Sequence, residues 1–244
     1  MDTSAKPVIH IEQLCRHFGS FVAVDHLSFS IEKGSVIGLL GANGAGKTTA
    51  IRIMTGLLRP TSGSIEIAGI DVLRHPRELR RRIGYVSQKF SLYGDLTAFE
   101  NLEFYAAVYG LLRGQVKQRL DAILDQFPLG SDLKALTRSL SMGVRQRLGV
   151  LCAVTHSPDV LFLDEPTSGV DPLTRREIWL LVHRLATQGM TILVTTHAME
   201  EAEFCDRLLV MHQGKLVADG SVPSLRSLFG GQNLRQIFRE VTRT

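Results

Sequence analysis

The sequence predicts an α/β fold with a mainly parallel sheet, an N-terminal antiparallel β subdomain and an inserted α-helical lobe. Three observations carry this. Short apolar runs at 36–40, 160–163 and 190–195 show little alternation, as strands covered on both faces do, and a helical pattern lies between the last two. Before and around them, other segments alternate apolar and polar residues with the period of a half-buried strand. From about 89 the texture turns helical before strand character returns. Strand–helix alternation of this kind implies parallel strands joined by right-handed crossovers.

The elements follow in order. Ile9 and Ile11 alternate with His10 and Glu12, and Leu27, Phe29 and Ile31 with Ser28, Ser30 and Glu32, so both stretches read as strands with one wet face. Lys33-Gly34 turns the chain into the strand at 36–40. A glycine-rich loop and a helix over 48–58 come next, then a break at 60–63. Ile65, Ile67 and Ile70 mark small strands, and 83–87 marks another. Thr97 and Glu100 have capping-box spacing, and Val116, Leu120, Ile123, Leu124 and Phe127 recur at helical intervals. Asp171-Pro172 is a helix start, with Asp as N-cap and Pro at the first helical position, ahead of an apolar face at Ile178, Leu181, Val182 and Leu185. Gly230-Gly231 precedes a last short helix with Leu234, Ile237, Phe238 and Val241 on one face. The reading is thus one domain over 1–244. Its core is at about 1–88 and 157–229, its helical lobe at about 89–156 and its closing helix at about 232–242.

Composition narrows the function. The 244 residues are 44% hydrophobic and 21% charged, which excludes disordered, collagen-like and coiled-coil chains. No apolar run approaches the ~20 residues that span a bilayer, and residues 1–19 lack the pattern of an export signal. Cys15, Cys152 and Cys205 are odd in number and scattered, which suggests reduced thiols of a cytosolic protein. A formal charge of +4 is too small to argue for nucleic acid or an acidic membrane, but it suits an anionic small ligand.

Gly41-Ala42-Asn43-Gly44-Ala45-Gly46-Lys47-Thr48 satisfies the eight-position phosphate-loop pattern, between a buried strand and a helix. The glycines let successive amides point at one oxyanion, and the helix adds its free N-terminal amides and positive dipole end. Lys47 reaches β- and γ-phosphates, the Thr48 hydroxyl ligates Mg²⁺, and Thr49 adds a phosphate contact. This makes the core a P-loop NTPase core. The strand at 160–163 ends in Asp164-Glu165. Two carboxylates at the mouth of a buried strand need a nearby cation. In a P-loop protein Asp164 serves Mg²⁺, directly or through water, and Glu165 orients or deprotonates the attacking water.

With Gln88 in Tyr85-Val86-Ser87-Gln88, the segment Leu140-Ser141-Met142-Gly143-Val144-Arg145-Gln146-Arg147, the run from Leu161 through Asp164-Glu165-Pro166-Thr167-Ser168-Gly169-Val170-Asp171 to Pro172, and Thr195-Thr196-His197, the sequence resembles the ATP-binding subunit of an ATP-binding cassette (ABC) transporter over nearly its whole length. The resemblance implies that Phe18 stacks on adenine. Gln88 senses Mg²⁺ and the γ-phosphate, and His197 contacts the γ-phosphate and the attacking water. Ser141 and Gly143, opening a helix that runs to about 156, receive the γ-phosphate of a nucleotide held by a facing copy. Asp171 lies at the contact between the two copies. Met142 and Val144 depart from the usual Leu-Ser-Gly-Gly-Gln, and Val144 cannot donate the side-chain hydrogen bond of that Gln. The implied ligands are ATP and Mg²⁺. The implied partners are a second copy in an ATP-sandwich homodimer and an integral membrane permease, with no nucleic acid, at the cytoplasmic face of the inner membrane. The closing Asn233-Leu234-Arg235-Gln236-Ile237-Phe238 and the segment 83–88 resemble the drug- and lipid-export branch with type-2 permeases. The rival readings are an ABC-type ATPase acting on ribosomes or DNA, and a weakly hydrolysing regulatory module. Arg74, Arg77, Arg80, Arg81 and Arg82 read as a solvated face. Cys152 and His156, four apart with no third ligand near, do not read as a metal site.

Overall fold

A computed structural model describes residues 6–88 and 91–242. Residues 89 and 90, where the helical lobe is expected to begin, lie outside the described residues. The N-terminal sheet is antiparallel. β1 (Ile9–Phe18) pairs with β2 (Phe21–Ile31) on one side. On its other side it pairs with β4 (Ser62–Ile67), which continues into β5 (Ile70–Asp71), ahead of the one-turn helix α2 (Pro76–Leu79). The second sheet takes β3 (Val36–Leu40), β6 (Ile83–Val86), β7 (Val160–Asp164), β8 (Thr191–Thr196), β9 (Arg207–His212) and β10 (Lys215–Gly220) in the order β10-β9-β3-β8-β7-β6. All its neighbours are parallel except β9 and β10. This is the α/β class expected, with antiparallel strands N-terminal to a mainly parallel sheet.

The uninterrupted apolar runs are explained by what covers each face. Ile37, Leu39, Phe162, Leu193 and Leu209 point towards α1 (Lys47–Met54) and the antiparallel sheet. Their neighbours Val36, Leu40, Leu161, Leu163, Ile192 and Val194 point the other way. There they meet α3 (Ala98–Val108), α4 (Arg113–Gln126), α5 (Met142–Ala153) and α6 (Pro172–Thr187). Successive strand residues alternate faces, so a strand with helices or sheet on both sides is apolar throughout. Phe162 is completely buried at the centre of β7. Phe162→Ala is expected to lower unfolding free energy by about 3–5 kcal/mol, as other large-to-small core substitutions do. Urea titration checks this, and a loss below about 1 kcal/mol would contradict the packing.

The caps read from sequence form as hydrogen bonds. Thr97 Oγ1 accepts from the Glu100 amide at 3.2 Å, while Glu100 Oε2 accepts from the Thr97 amide at 2.7 Å. Asp171 Oδ1 accepts from the Leu173 and Thr174 amides, both at 3.0 Å. Two helix ends differ from expectation. α1 stops at Met54, not 58, because Gly56 adopts φ +70°. The Leu57 amide then bonds Arg52 O (2.9 Å) and the Gly56 amide bonds Ile53 O (3.0 Å), the left-handed stop that glycine permits. α5 ends at Ala153 rather than near 156, and Ser157 takes φ +55°. The sequence reading also lacks β9, β10, α7 (Met199–Ala202) and α8 (Val222–Leu228). The hairpin signal was present: Gln213-Gly214, at φ +46° and +81°, joins the apolar runs of β9 and β10. The closing helix is α9 (Leu234–Val241), with Leu234 and Ile237 buried and Phe238 and Val241 packed beside them.

Candidate functional site

The glycine loop lies at the C-terminal end of β3, where α1 begins. Gly46 caps α1 at φ +102°, and a β-carbon there would sit 2.3 Å from Ala23 O. Only glycine fits that combination of left-handed backbone and close approach. Gly44 also takes positive φ, at +82°. The Lys47 ammonium folds back over its own loop, donating to Gly41 O at 2.8 Å and Ala42 O at 3.1 Å. It is 5% exposed, and its nearest anion is Glu165 Oε1 at 3.8 Å. Burial pushes its pKa below the usual lysine value, against the opposing pull of Glu165 and Asp164.

β7 and β8 bring the acids to the same mouth. Asp164 is buried, and Oδ1 accepts from the Thr195 hydroxyl at 2.6 Å and the Thr48 hydroxyl at 3.3 Å. Glu165 follows at φ +51°, its amide bonded to Thr195 Oγ1 at 2.9 Å. Its carboxylate meets two of the expected residues. Gln88 Nε2 donates to Oε2 at 3.2 Å, and His197 Nδ1 lies 3.2 Å from Oε1. Asn43, Gly44, Gly46, Lys47, Thr48, Thr49, Gln88 and Glu165 line one cleft of about 340 Å³. Gly41 and Ala45 sit at the base of the loop, the Gly41 amide bonded to Thr196 O at 3.3 Å and Ala45 O accepting from the Gly214 amide at 3.1 Å.

The donor set suits the expected ligands. Hydroxyl, carboxylate and amide oxygens from Thr48, Asp164 and Gln88 are the hard ligands that a magnesium ion takes. A buried ammonium set mostly against carbonyls, above a helix N-terminus, suits a phosphate.

Besides Gly41, Ala45, Asp164 and His197, which adjoin it, three further expected residues lie outside that lining. Phe18 is 47% exposed, and the Arg16 guanidinium lies 4.4 Å from its ring centroid. The aromatic that lines the cleft is Phe21, together with Ala23. Sequence reasoning missed both, although Phe21 stands directly across the hairpin from Phe18. Ser141 and Gly143 open α5 elsewhere on the surface. Ser141 Oγ accepts from the Val144 amide at 3.3 Å, which leaves its proton free to donate, and no acidic residue occupies the first turn. Gly143 packs so tightly on α6 that a β-carbon would fall 2.3 Å from Thr174 Cγ2.

The weaker motifs resolve structurally. Arg74, Arg77, Arg80, Arg81 and Arg82 are all exposed, and Arg82 pairs with Asp159. His156 stacks on Tyr109 at 3.8 Å and bonds Ile83 O through Nε2, and burial lowers its pKa to about 4. Cys15, Asp25 and His26 bring possible ligand atoms within 4.8 Å, but Asp25 already pairs with His26 and lies 3.5 Å from the Lys215 ammonium, which opposes a cation.

A family profile described as "ABC transporter" matches residues 24–168. The chain is 45% identical over 225 residues to the probable multidrug ABC transporter ATP-binding protein YbhF of Escherichia coli K12. That alignment covers 92% of this chain but only 39% of the relative's length. It is 38% identical to the linearmycin resistance ATP-binding protein LnrL of Bacillus subtilis 168, covering 94% of this chain and 74% of that protein. Among solved structures, an ATP-binding subunit of an ABC transporter superposes with TM-score 0.85 at 30% identity, covering 96% of this chain and 99% of the other. CbiO1 of Clostridium perfringens, part of the transporter complex CbiONQ, gives TM-score 0.83 at 27% identity, covering 97% and 95%.

Proposed function

Because the chain belongs to the ABC transporter family, we propose that it binds and hydrolyses ATP to drive a membrane exporter of drugs or lipids. The observation that carries this reading is the position of Glu165. It stands at the mouth of the phosphate-loop cleft, within 3.2 Å of both Gln88 and His197 and beside the Thr48–Asp164 pair.

In this reading Lys47 leaves its loop carbonyls for the β- and γ-phosphates. Thr48, Asp164 and Gln88 hold Mg²⁺, which neutralises charge developing on the phosphoryl oxygens. Glu165 orients and deprotonates the attacking water, and His197 holds the γ-phosphate and that water. Phe18 and Phe21 offer rings to the adenine. A second copy closes the site, presenting Ser141 and Gly143 with the free amides of α5, and Asp171 lies at the contact between copies. The relatives' names support export, and among the described residues no helix is long and apolar enough to cross a membrane. The permease meets the 88–96 region and the helical lobe, at the cytoplasmic face. Tyr93 and Phe104 there are exposed and in edge contact at 4.7 Å, with Val108 and Leu112 exposed further along. Purification from membranes with a hydrophobic partner tests the reading, and recovery with ribosomes instead would favour the rival.

The altered signature makes a separate prediction. Val144 packs against the apolar cluster, its side chain offers no donor, and its amide is already given to Ser141 Oγ. Val144→Gln restores one donor in each copy, two per pair, each worth about 0.5–1.5 kcal/mol, so the ATP-bound pair is expected to tighten about 5- to 150-fold. Sedimentation of the ATP-bound, hydrolysis-blocked protein measures this, and unchanged association would show that position 144 does not face the phosphate.

A further inference from the structure

Four residues past His197 the chain returns to the site from behind. α7 carries Glu201, whose side chain is 3% exposed. Its carboxylate accepts from the hydroxyl of Thr167, a buried residue two positions after Glu165. Arg175, in the first turn of α6, places Nε 3.4 Å from the same oxygen, Oε1. A carboxylate this far from water is strongly unfavourable without such partners, so the cluster holds together as a unit. Its position is specific. Glu165, Thr167, Arg175, His197 and Glu201 all line one small polar cavity of about 80 Å³.

Glu165 needs such restraint. At φ +51° it occupies the left-handed region, which a side-chain-bearing residue keeps only when its surroundings over-determine it. On the strand side Thr195 holds its amide. On the far side the side-chain anchor is Thr167 on Glu201.

We propose that Glu201 is a positioning residue for the reaction at Glu165. Through Thr167, with Arg175 of α6 as its counter-charge, it latches the turn after Glu165 to the loop that carries His197, and so fixes the separation of those two side chains. This rests on the reading of Glu165 as the base. Two further ion pairs, Arg175–Glu200 at 3.6 Å and Glu200–Arg235 at 2.8 Å, extend the network outwards to α9. Glu200 and Arg235 are exposed, and such surface pairs hold little, so the buried carboxylate carries the effect.

Thr167→Val, Glu201→Ala and Glu201→Gln in the full chain test this, with kcat, ATP affinity and melting temperature measured for each. Misplacing a reacting group by about 1 Å costs up to about 100-fold in rate, so Thr167→Val and Glu201→Ala are expected to lower kcat about 10- to 100-fold. ATP affinity is expected to stay within about twofold, because no latch residue touches the phosphate loop. Glu201→Gln, whose carbonyl still accepts from Thr167, is expected to recover part of the rate. The double variant Thr167→Val/Glu201→Ala is expected to be no slower than its slower parent. Trp179, the only tryptophan, lies buried one turn beyond Arg175, and its emission checks that each variant is packed. A wild-type kcat in packed Thr167→Val overturns the proposal. So does a parallel fall of affinity, rate and melting temperature, which marks a structural role only. Should Glu201→Ala fail to fold, Thr167→Val decides alone. Glu165→Gln runs alongside. If it retains turnover, the reading of the base fails; if it stops turnover while Thr167→Val runs at the wild-type rate, the latch alone fails.

Discussion

Lys47→Ala is expected to abolish measurable ATP binding. Among the described residues the ammonium is the one cation that lines the cleft, and it stands almost wholly out of water. In the free chain its partners are two carbonyls and, at 3.8 Å, Glu165. A triphosphate exchanges those carbonyls for full negative charge. A charge-assisted hydrogen bond is worth about 1.5–3 kcal/mol, and two unit charges near 4 Å attract by about 4 kcal/mol at an effective dielectric of 20. Truncation should therefore weaken binding about 30- to 1,000-fold, beyond the range of a fluorescent-nucleotide titration for a ligand of micromolar affinity. Melting should fall as well, because alanine leaves the buried carboxylate of Asp164 and the largely buried one of Glu165 without the ammonium that faces them. The pH dependence has a definite sign. Burial lowers the free chain's Lys47 pKa, so affinity should begin to fall with rising pH below the usual lysine range. Unchanged affinity in the alanine variant would remove the phosphate-loop argument.

That juxtaposition was legible in the chain because its logic is local. A loop whose glycines must curl, and an acid pair closing a buried strand, are each set within a few residues. The parallel sheet then carries both to one edge, with β3 and β7 on either side of β8. What escaped detection depends on contacts across long separations. No motif in the sequence marks Glu201, and only the fold, through α7, turns it inwards onto Thr167, 34 residues earlier. Cys152 and His156 read as one helical face, but α5 ends at Ala153 and the spacing loses its meaning. Phe21 was passed over for Phe18, since a hairpin places two aromatics side by side and sequence alone does not say which one a cleft uses. The early end of α1 was readable, as Gly56 is a helix-stop signal, but the apolar Leu57 and Leu58 extended the apparent face.

Glu165→Gln separates hydrolysis from binding. The substitution preserves shape, and the strained φ of +51° is no worse for Gln than for Glu. The new amide oxygen can still accept from Gln88 Nε2, so the mouth of the cleft should keep its form. What disappears is a group able to take the proton of the attacking water. General-base catalysis contributes about 10²–10⁴ in rate, and turnover is expected to fall by that factor. Binding should move the other way. The carboxylate stands 3.8 Å from Lys47 and competes with phosphate for that cation, so neutralising it strengthens the hold on ATP. With hydrolysis blocked and ATP retained, two copies should remain joined through the Ser141 helix tips. A stable pair in sedimentation that forms with ATP and not with ADP is the expected signature. Turnover as fast as wild type would reassign the base. Lost turnover with no ATP-dependent pairing would keep Glu165 in the reaction but deny that the nucleotide joins two copies.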